Sequence, residues 1–252
     1  MRNLTQDNIT QAVIARLART PDPRLREVMT SLVQHLHAFV RDVKLTESEW
    51  SQGIRFLTEV GRKTDDKRQE FVLLSDTLGL SMLTVAMNNE KPAGCTEATV
   101  AATFPGEGAP CVVRGRVVAL GGEPVAGATI DVWPAGGGER SSVRCGPDGR
   151  FEFPAVLAKS CPIPDDGPVG ELLRATARHP WRPAHLHCMV IADGYERLVT
   201  HVFRSGDQYL DSDAVFGVRE SLVAHWARQA DGSDVLEYDF VLNPKAIAKA
   251  GP

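Results

Sequence analysis

The run Arg178-His179-Pro180-Trp181-Arg182-Pro183-Ala184-His185-Leu186-His187 holds the residues best suited to chemistry. Side chains two apart on a β-strand point to one face, so His185 and His187 would offer two imidazoles to a single ion. Imidazole serves divalent and trivalent metals alike. Bare His-x-His pairs occur in many strands that hold no metal. Here Arg182 and Pro183 add a cation and a rigid turn where the strand begins, and Trp181 is expected to pack beside the site. Other candidates read as structure. His35 and His37 lie two apart in a helical segment and so point in different directions. Asp211 and Asp213 are two carboxylates without a third partner, better suited to fixing a loop than to binding calcium. Tyr195, in Asp193-Gly194-Tyr195, reads as a turn anchor.

These side chains need a frame. Leu25, Val28, Met29, Leu32, Val33, Leu36 and Val40 recur at three- and four-residue steps, the spacing of a helical apolar stripe. Thr46 followed by Glu49 is a capping-box pattern that opens a second helix carrying Ile54, Phe56, Leu57 and Val60. A third apolar segment runs from Phe71 to Met87 and stops before Lys91-Pro92. Beyond residue 94 the texture changes to short β-rich runs: Cys111–Leu120, Ala128–Trp133, Arg150–Phe153, Ala184–Ala192, Leu198–Phe203 and Val235–Leu242. Turn signals separate them, among them Gly121-Gly122 and Pro147-Asp148-Gly149. The expected fold is α+β: a helical N-terminal domain over residues 1–94, then an antiparallel β-sandwich over residues 95–252.

Composition narrows the classes. The 252 residues are 43% apolar and 24% charged, with 28 basic and 32 acidic side chains spread along the chain for a net charge of -4. That leaves no basic footprint for nucleic acid. No run of eighteen apolar residues is present, so no membrane span is expected. Five cysteines (Cys95, Cys111, Cys145, Cys161, Cys188) form no CxxC pair, and the first ten residues lack the basic and apolar regions of a signal peptide. Both point to reduced thiols and a cytoplasmic location.

Several segments together carry a family resemblance. Cys161-Pro162-Ile163-Pro164-Asp165-Asp166-Gly167-Pro168-Val169-Gly170, the Arg178–His187 run, Leu198-Val199-Thr200-His201-Val202-Phe203 and Tyr209-Leu210-Asp211-Ser212-Asp213-Ala214-Val215-Phe216-Gly217-Val218 resemble the hydroxyquinol/catechol branch of the intradiol ring-cleavage dioxygenases. So do Gln69–Gly79, Thr96–Val100 and Gly127–Trp133. The resemblance spans roughly residues 25–225. It implies a helical N-terminal dimerisation domain, a homodimer, a catechol- or hydroxyquinol-like aromatic substrate, and O₂. It also implies Fe(III) held by two histidines and two tyrosinates, whose charge transfer makes family members wine-red. The histidines carry over to His185 and His187, the arginine that assists rearrangement to Arg182, and a polar residue near the metal to His201.

The tyrosines do not carry over. One should precede Pro162, where this chain has Cys161. The other should follow Asp131-Val132-Trp133, but that loop is cut down to Pro134–Arg140, and Ala101–Pro110 replaces an aromatic-rich linker. Tyr195, Tyr209 and Tyr238 all lie beyond the histidine pair. Without phenolates the donor set suits Zn(II) or Fe(II) better than Fe(III). Cys161, as a thiolate, is a candidate third ligand; its ordinary role would be a small buried hydrophobe. His201 or Glu139 are alternatives. Cys145 lies far from the expected pocket, and Cys188 should face the core. The chain is expected to be a metal-dependent enzyme on a hydroxylated aromatic, with one Fe or Zn ion, acting by ring-cleaving or non-oxidative chemistry. The alternative is a non-catalytic relative that binds an aromatic ligand.

Overall fold

In the computed structural model, which describes residues 3–100, 110–134, 141–156, 159–230 and 232–245, helices occupy the first part of the chain and strands most of the rest. Helix α1 (Ile9–Leu17) packs on α2 (Pro23–Asp42). Asp22 caps α2 by accepting from the backbone N–H groups of Arg24 and Leu25 at 2.8 and 3.2 Å. Pro23 follows at the position where a missing N–H costs nothing. His37 Nδ1 stands 2.9 Å from Thr10 Oγ1, tying α2 to α1. That is the structural role expected of it.

Helix α3 (Glu47–Lys63) opens with the expected capping box. The Thr46 N–H donates to the Glu49 carboxylate at 2.8 Å, and the Glu49 N–H donates to Thr46 Oγ1 at 3.3 Å. The apolar segment from Phe71 to Met87 is two helices, α4 (Glu70–Thr77) and α5 (Leu80–Asn88), bent by 79°. Gly79 turns the corner at φ 75, a left-handed backbone that glycine adopts without steric cost. Among the described residues no single helix is long and apolar enough to cross a membrane.

The strands follow as β1 (Pro110–Ala119), β2 (Thr129–Pro134), β3 (Ser141–Arg144), β4 (Arg150–Val156), β5 (Cys161–Pro162), β6 (Trp181–Arg182), β7 (His185–Ile191), β8 (Leu198–Arg204), β9 (Val223–Ala224), β10 (Trp226–Arg228), β11 (Asp234–Glu237) and β12 (Phe240–Leu242), with helix α6 (Pro168–Ala175) between β5 and β6. One sheet has the order β10-β11-β1-β12, with β4 also on β1; the other has the order β3-β2-β7-β8-β9. A short β5–β6 ribbon stands apart from both. Most pairings are antiparallel, as expected, but β1 runs parallel to β11 and β12, and β8 parallel to β9. Val113, Val117, Phe153 and Phe240 from one sheet meet Ile130, Leu186, Val190 and Val202 from the other in a single apolar core. The compact units divide between Glu59 and Val60, earlier than the change of texture at residue 94. Helix α4 lies in the second unit, where buried Glu70 accepts from the Val169 N–H in the first turn of α6.

Midway along β1 the partner changes from β11 to β12, and Gly115 sits at the change. A Cβ there would lie 1.9 Å from the Tyr238 carbonyl oxygen, which is backbone and cannot yield. Gly53, inside α3, has nothing within 4 Å of the same position. Chemical denaturation should therefore separate two Gly→Ala changes. Gly53→Ala stabilises by about 0.5–1 kcal/mol through helix propensity. Gly115→Ala destabilises by more than about 2 kcal/mol, in the range of overpacked cores. Equal effects would contradict the register at Tyr238.

Candidate metal centre

Strand β7 is buried on both faces along most of its length. Leu186, Cys188 and Val190 enter the core between the sheets, and His185 and His187, one residue out of phase, face the other way. In β8, which runs antiparallel alongside, His201 lies opposite His187 and Phe203 opposite His185. Leu198 and Val202 take the core side, so His201 and Phe203 share the histidine face.

The outcome is three imidazoles with almost no exposure. Their centroids are 4.8 Å (His185–His187), 4.7 Å (His185–His201) and 4.3 Å (His187–His201) apart. Phe203 backs His185 and His201 at 5.4 and 5.5 Å. One ring nitrogen from each histidine lies within 4.8 Å of the others, a spacing that could hold a metal ion.

Hydrogen bonds orient the rings. His185 Nδ1 is 2.7 Å from the Pro183 carbonyl oxygen, so it carries the hydrogen and leaves the Nε2 lone pair free to face Arg182 Nη1 at 3.3 Å. His201 stands between Thr99 Oγ1, 3.0 Å from its Nδ1, and His187 Nδ1, 2.7 Å from its Nε2. Burial holds all three imidazoles well below the usual histidine range, and the Arg182 charge pushes the same way. They are neutral donors.

Arg182 itself is fully buried and gripped by Asp213, with Nε to Oδ1 at 2.9 Å and Nη2 to Oδ2 at 3.2 Å. Asp213 also accepts from the N–H groups of Gly217 and Val215 at 2.8 and 3.3 Å, so its loop-fixing role stands alongside a charge role. A Cβ at Gly217 would come within 2.9 Å of Arg182 Nη2, which explains the glycine. Sequence reasoning did not single out Asp76. Burial pushes its carboxyl up, against the pull of a Ser81 hydrogen bond and the Arg182 charge. Its sequence signal is a carboxylate inside the largely apolar segment from Phe71 to Met87.

Cys161, offered as a third ligand, pairs in register with Arg182 in the β5–β6 ribbon. It is buried, its thiol is pushed up mainly by that burial, and its sulfur is outside the three-imidazole group. Cys145 and Cys188 belong to the apolar core. The chain's three tyrosines are all described. Tyr209 stacks on Trp181 at 5.5 Å, Tyr238 donates its hydroxyl to the Ser221 carbonyl at 3.0 Å, and Tyr195 forms a backbone bridge to Pro244. Burial pushes the Tyr238 phenol up to about 12. Tyr209 also meets the His179 ring and Tyr238 the Phe240 ring, so these side chains make their ring contacts away from His185, His187 and His201. Glu139 and the shortened segments 101–109 and 135–140 lie outside the described residues. Three neutral imidazoles without a phenolate do not fit the tyrosinate-bound Fe(III) that the resemblance implies.

Comparison with known proteins is consistent across the chain. The family profile described as catechol dioxygenase N terminus matches residues 22–96, and the one described as dioxygenase matches residues 139–244. The 6-chlorohydroxyquinol 1,2-dioxygenase of Cupriavidus pinatubonensis is 57% identical over 274 residues, covering 97% of this chain and 99% of that protein. The hydroxyquinol 1,2-dioxygenase of Nocardioides simplex is 45% identical, covering 90% and 88%. A solved hydroxyquinol 1,2-dioxygenase from Pseudomonas putida DLL-E4 superposes with a TM-score of 0.88 at 41% identity, covering 95% and 99%. The Cupriavidus alignment is longer than the share of this 252-residue chain within it, so about thirty positions of that relative have no counterpart here.

Two measurements check this geometry. Asp213→Ala leaves a guanidinium buried and unpaired and should cost about 3–5 kcal/mol in denaturant unfolding; a loss under about 1 kcal/mol would mean that Arg182 reaches solvent. Loaded with Fe(III), the purified protein should lack the wine-red phenolate-to-iron absorption. A band of that kind would put a tyrosine on the metal.

Proposed function

The chain belongs to the intradiol ring-cleavage dioxygenase family, in its hydroxyquinol branch, and from that premise we propose that it opens the ring of a hydroxyquinol-type aromatic with O₂, using one metal ion per chain held by His185 and His187. The reading is supported above all by one observation: the paired imidazoles and the buried Arg182 stand together on the face of β7 turned away from the core. The 57% identity to an enzyme named for 6-chlorohydroxyquinol supports the substrate class. Iron is proposed as the ion because it is the metal of the family.

The chain's own groups have distinct parts. Arg182 is held rigid by Asp213, so its Nη1 is a pre-oriented donor for an anionic oxygen of the bound aromatic, at no reorganisation cost. His201, held between Thr99 and His187, is fixed in orientation on the same face. A second reading, a non-oxidative or non-catalytic relative that binds an aromatic ligand, is favoured by the missing phenolates.

An oxygen electrode separates the two. With hydroxyquinol and iron, the first reading expects one O₂ consumed per ring-opened product, and Arg182→Met should lower turnover about 100-fold or more while the aromatic still binds. Stoichiometric binding of hydroxyquinol without oxygen uptake would move the protein to the second reading. No binding at all would remove both. A homodimer through α2 is proposed as well, because Leu25, Leu32, Leu36 and Phe39 are each about half exposed on that helix. Light scattering at micromolar concentration should return twice the chain mass, and a monomer would refute it.

A further inference from the structure

We propose that His201 is a third metal ligand in this chain, and that the centre formed by His185, His187 and His201 binds a divalent ion in place of tyrosinate-bound Fe(III). The inference rests on the reading that His185 and His187 hold a metal, and it adds the third donor and the charge of the ion.

Three observations converge. The donors are three imidazoles, each with a ring nitrogen within 4.8 Å of the others, and no carboxylate or thiol among the described residues joins them. All three are buried, so a bound ion would receive no charge compensation from solvent. The fixed charge nearest to them is the Arg182 guanidinium, already matched by Asp213. Neutral nitrogen donors suit Zn(II), Co(II) or Fe(II), and three histidines with one open position form a known kind of catalytic Zn(II) site. A trivalent ion there would carry three charges with no carboxylate or thiolate among the described residues beside it.

The outer contacts suit ligation by His201 as well. Ligating histidines normally give their other ring N–H to a nearby oxygen, which fixes the tautomer. His185 does this at Pro183, 2.7 Å away, and His201 has Thr99 Oγ1 at 3.0 Å from Nδ1 to receive the same hydrogen. That leaves His201 Nε2 as a lone-pair donor aimed at the group. Binding the ion replaces the 2.7 Å contact between His201 Nε2 and His187 Nδ1. Metal bonds of about 2.0–2.1 Å need donor atoms somewhat further apart than this, so the two rings open by a fraction of an ångström.

The test uses the full chain, stripped with a chelator and titrated with Co(II), then loaded with Zn(II) for X-ray absorption. Expected are one Co(II) per chain, a visible d–d spectrum of low coordination number, and three imidazole scatterers around zinc. His201→Ala and His201→Gln should both weaken Co(II) binding more than about a hundredfold, beyond the loss usual for an outer-sphere partner. Glutamine keeps a hydrogen-bonding group near His187 but is a poor ligand. Parent-like affinity in His201→Gln would therefore make His201 a positioning residue and overturn the proposal, leaving His185 and His187 as metal holders. Two imidazole scatterers in the parent protein, a measurement that needs no variant, would do the same. If Fe(III) binds more tightly than any divalent ion, the charge argument fails. If no ion binds, the metal reading of the whole site fails with it.

Discussion

The site depends on one constraint, the two-residue period of β7 and β8 in strands buried on both faces. A strand with one wet face would give its histidines to solvent. Here one face of β7 builds the sandwich core with Leu186, Cys188 and Val190, and the other carries His185 and His187 into a second dry space. A slip of one residue in the β7–β8 register would exchange imidazoles for core apolar side chains, at the cost of burying several polar groups without partners. The sandwich core therefore holds the histidines in place, and the pairing of His187 with His201 is as firmly specified as the core itself.

Burial then sets the electrostatics. Neutral imidazoles tolerate a dry site, whereas a guanidinium does not unless it is paired. Asp213 meets that need with two contacts to Arg182 and two backbone N–H groups of its own loop, and Gly217 gives way where a side chain would collide. The cation is thus fixed to the fold at one end and to His185 at the other. Asp76 adds a buried carboxyl within reach of the same charge. The arrangement is a set of neutral donors beside a compensated cation, with little stored negative charge.

Much of this was legible in the sequence where the signal is local. The capping box at Thr46 and Glu49, the strand runs, the shared face of His185 and His187, and the core side of Cys188 follow from spacing alone. What was missed is either left-handed or long-range. The apolar pattern through Phe71–Met87 continues across Gly79, so periodicity cannot reveal a corner that one positive φ creates. The parallel pairing of β1 with β11 joins residues more than a hundred positions apart, and nothing local encodes it. Asp213 lies 31 residues after Arg182, and its loop-fixing pattern hides the ion pair. Cys161 could be placed beside the pocket by its motif, but only the β5–β6 ribbon reveals that Arg182 is its cross-strand partner.

The lost tyrosines and the retained fold have a common explanation in where each resides. Among the described residues the core is built mostly by strand side chains, none of them from the two trimmed segments, so stability does not require those segments. Loops can shorten at little cost because closure entropy changes slowly with length. About thirty positions present in the Cupriavidus relative are absent here, while 57% identity persists over the aligned length. A scaffold can therefore keep the imidazoles, which stand on strands, and lose the phenolates, of which the resemblance assigns one to a loop now cut down. Function resides in such a site rather than in the fold that carries it. In this chain the strand-borne imidazoles are in place, and the potential ligand atoms that the described residues bring together there are neutral nitrogens.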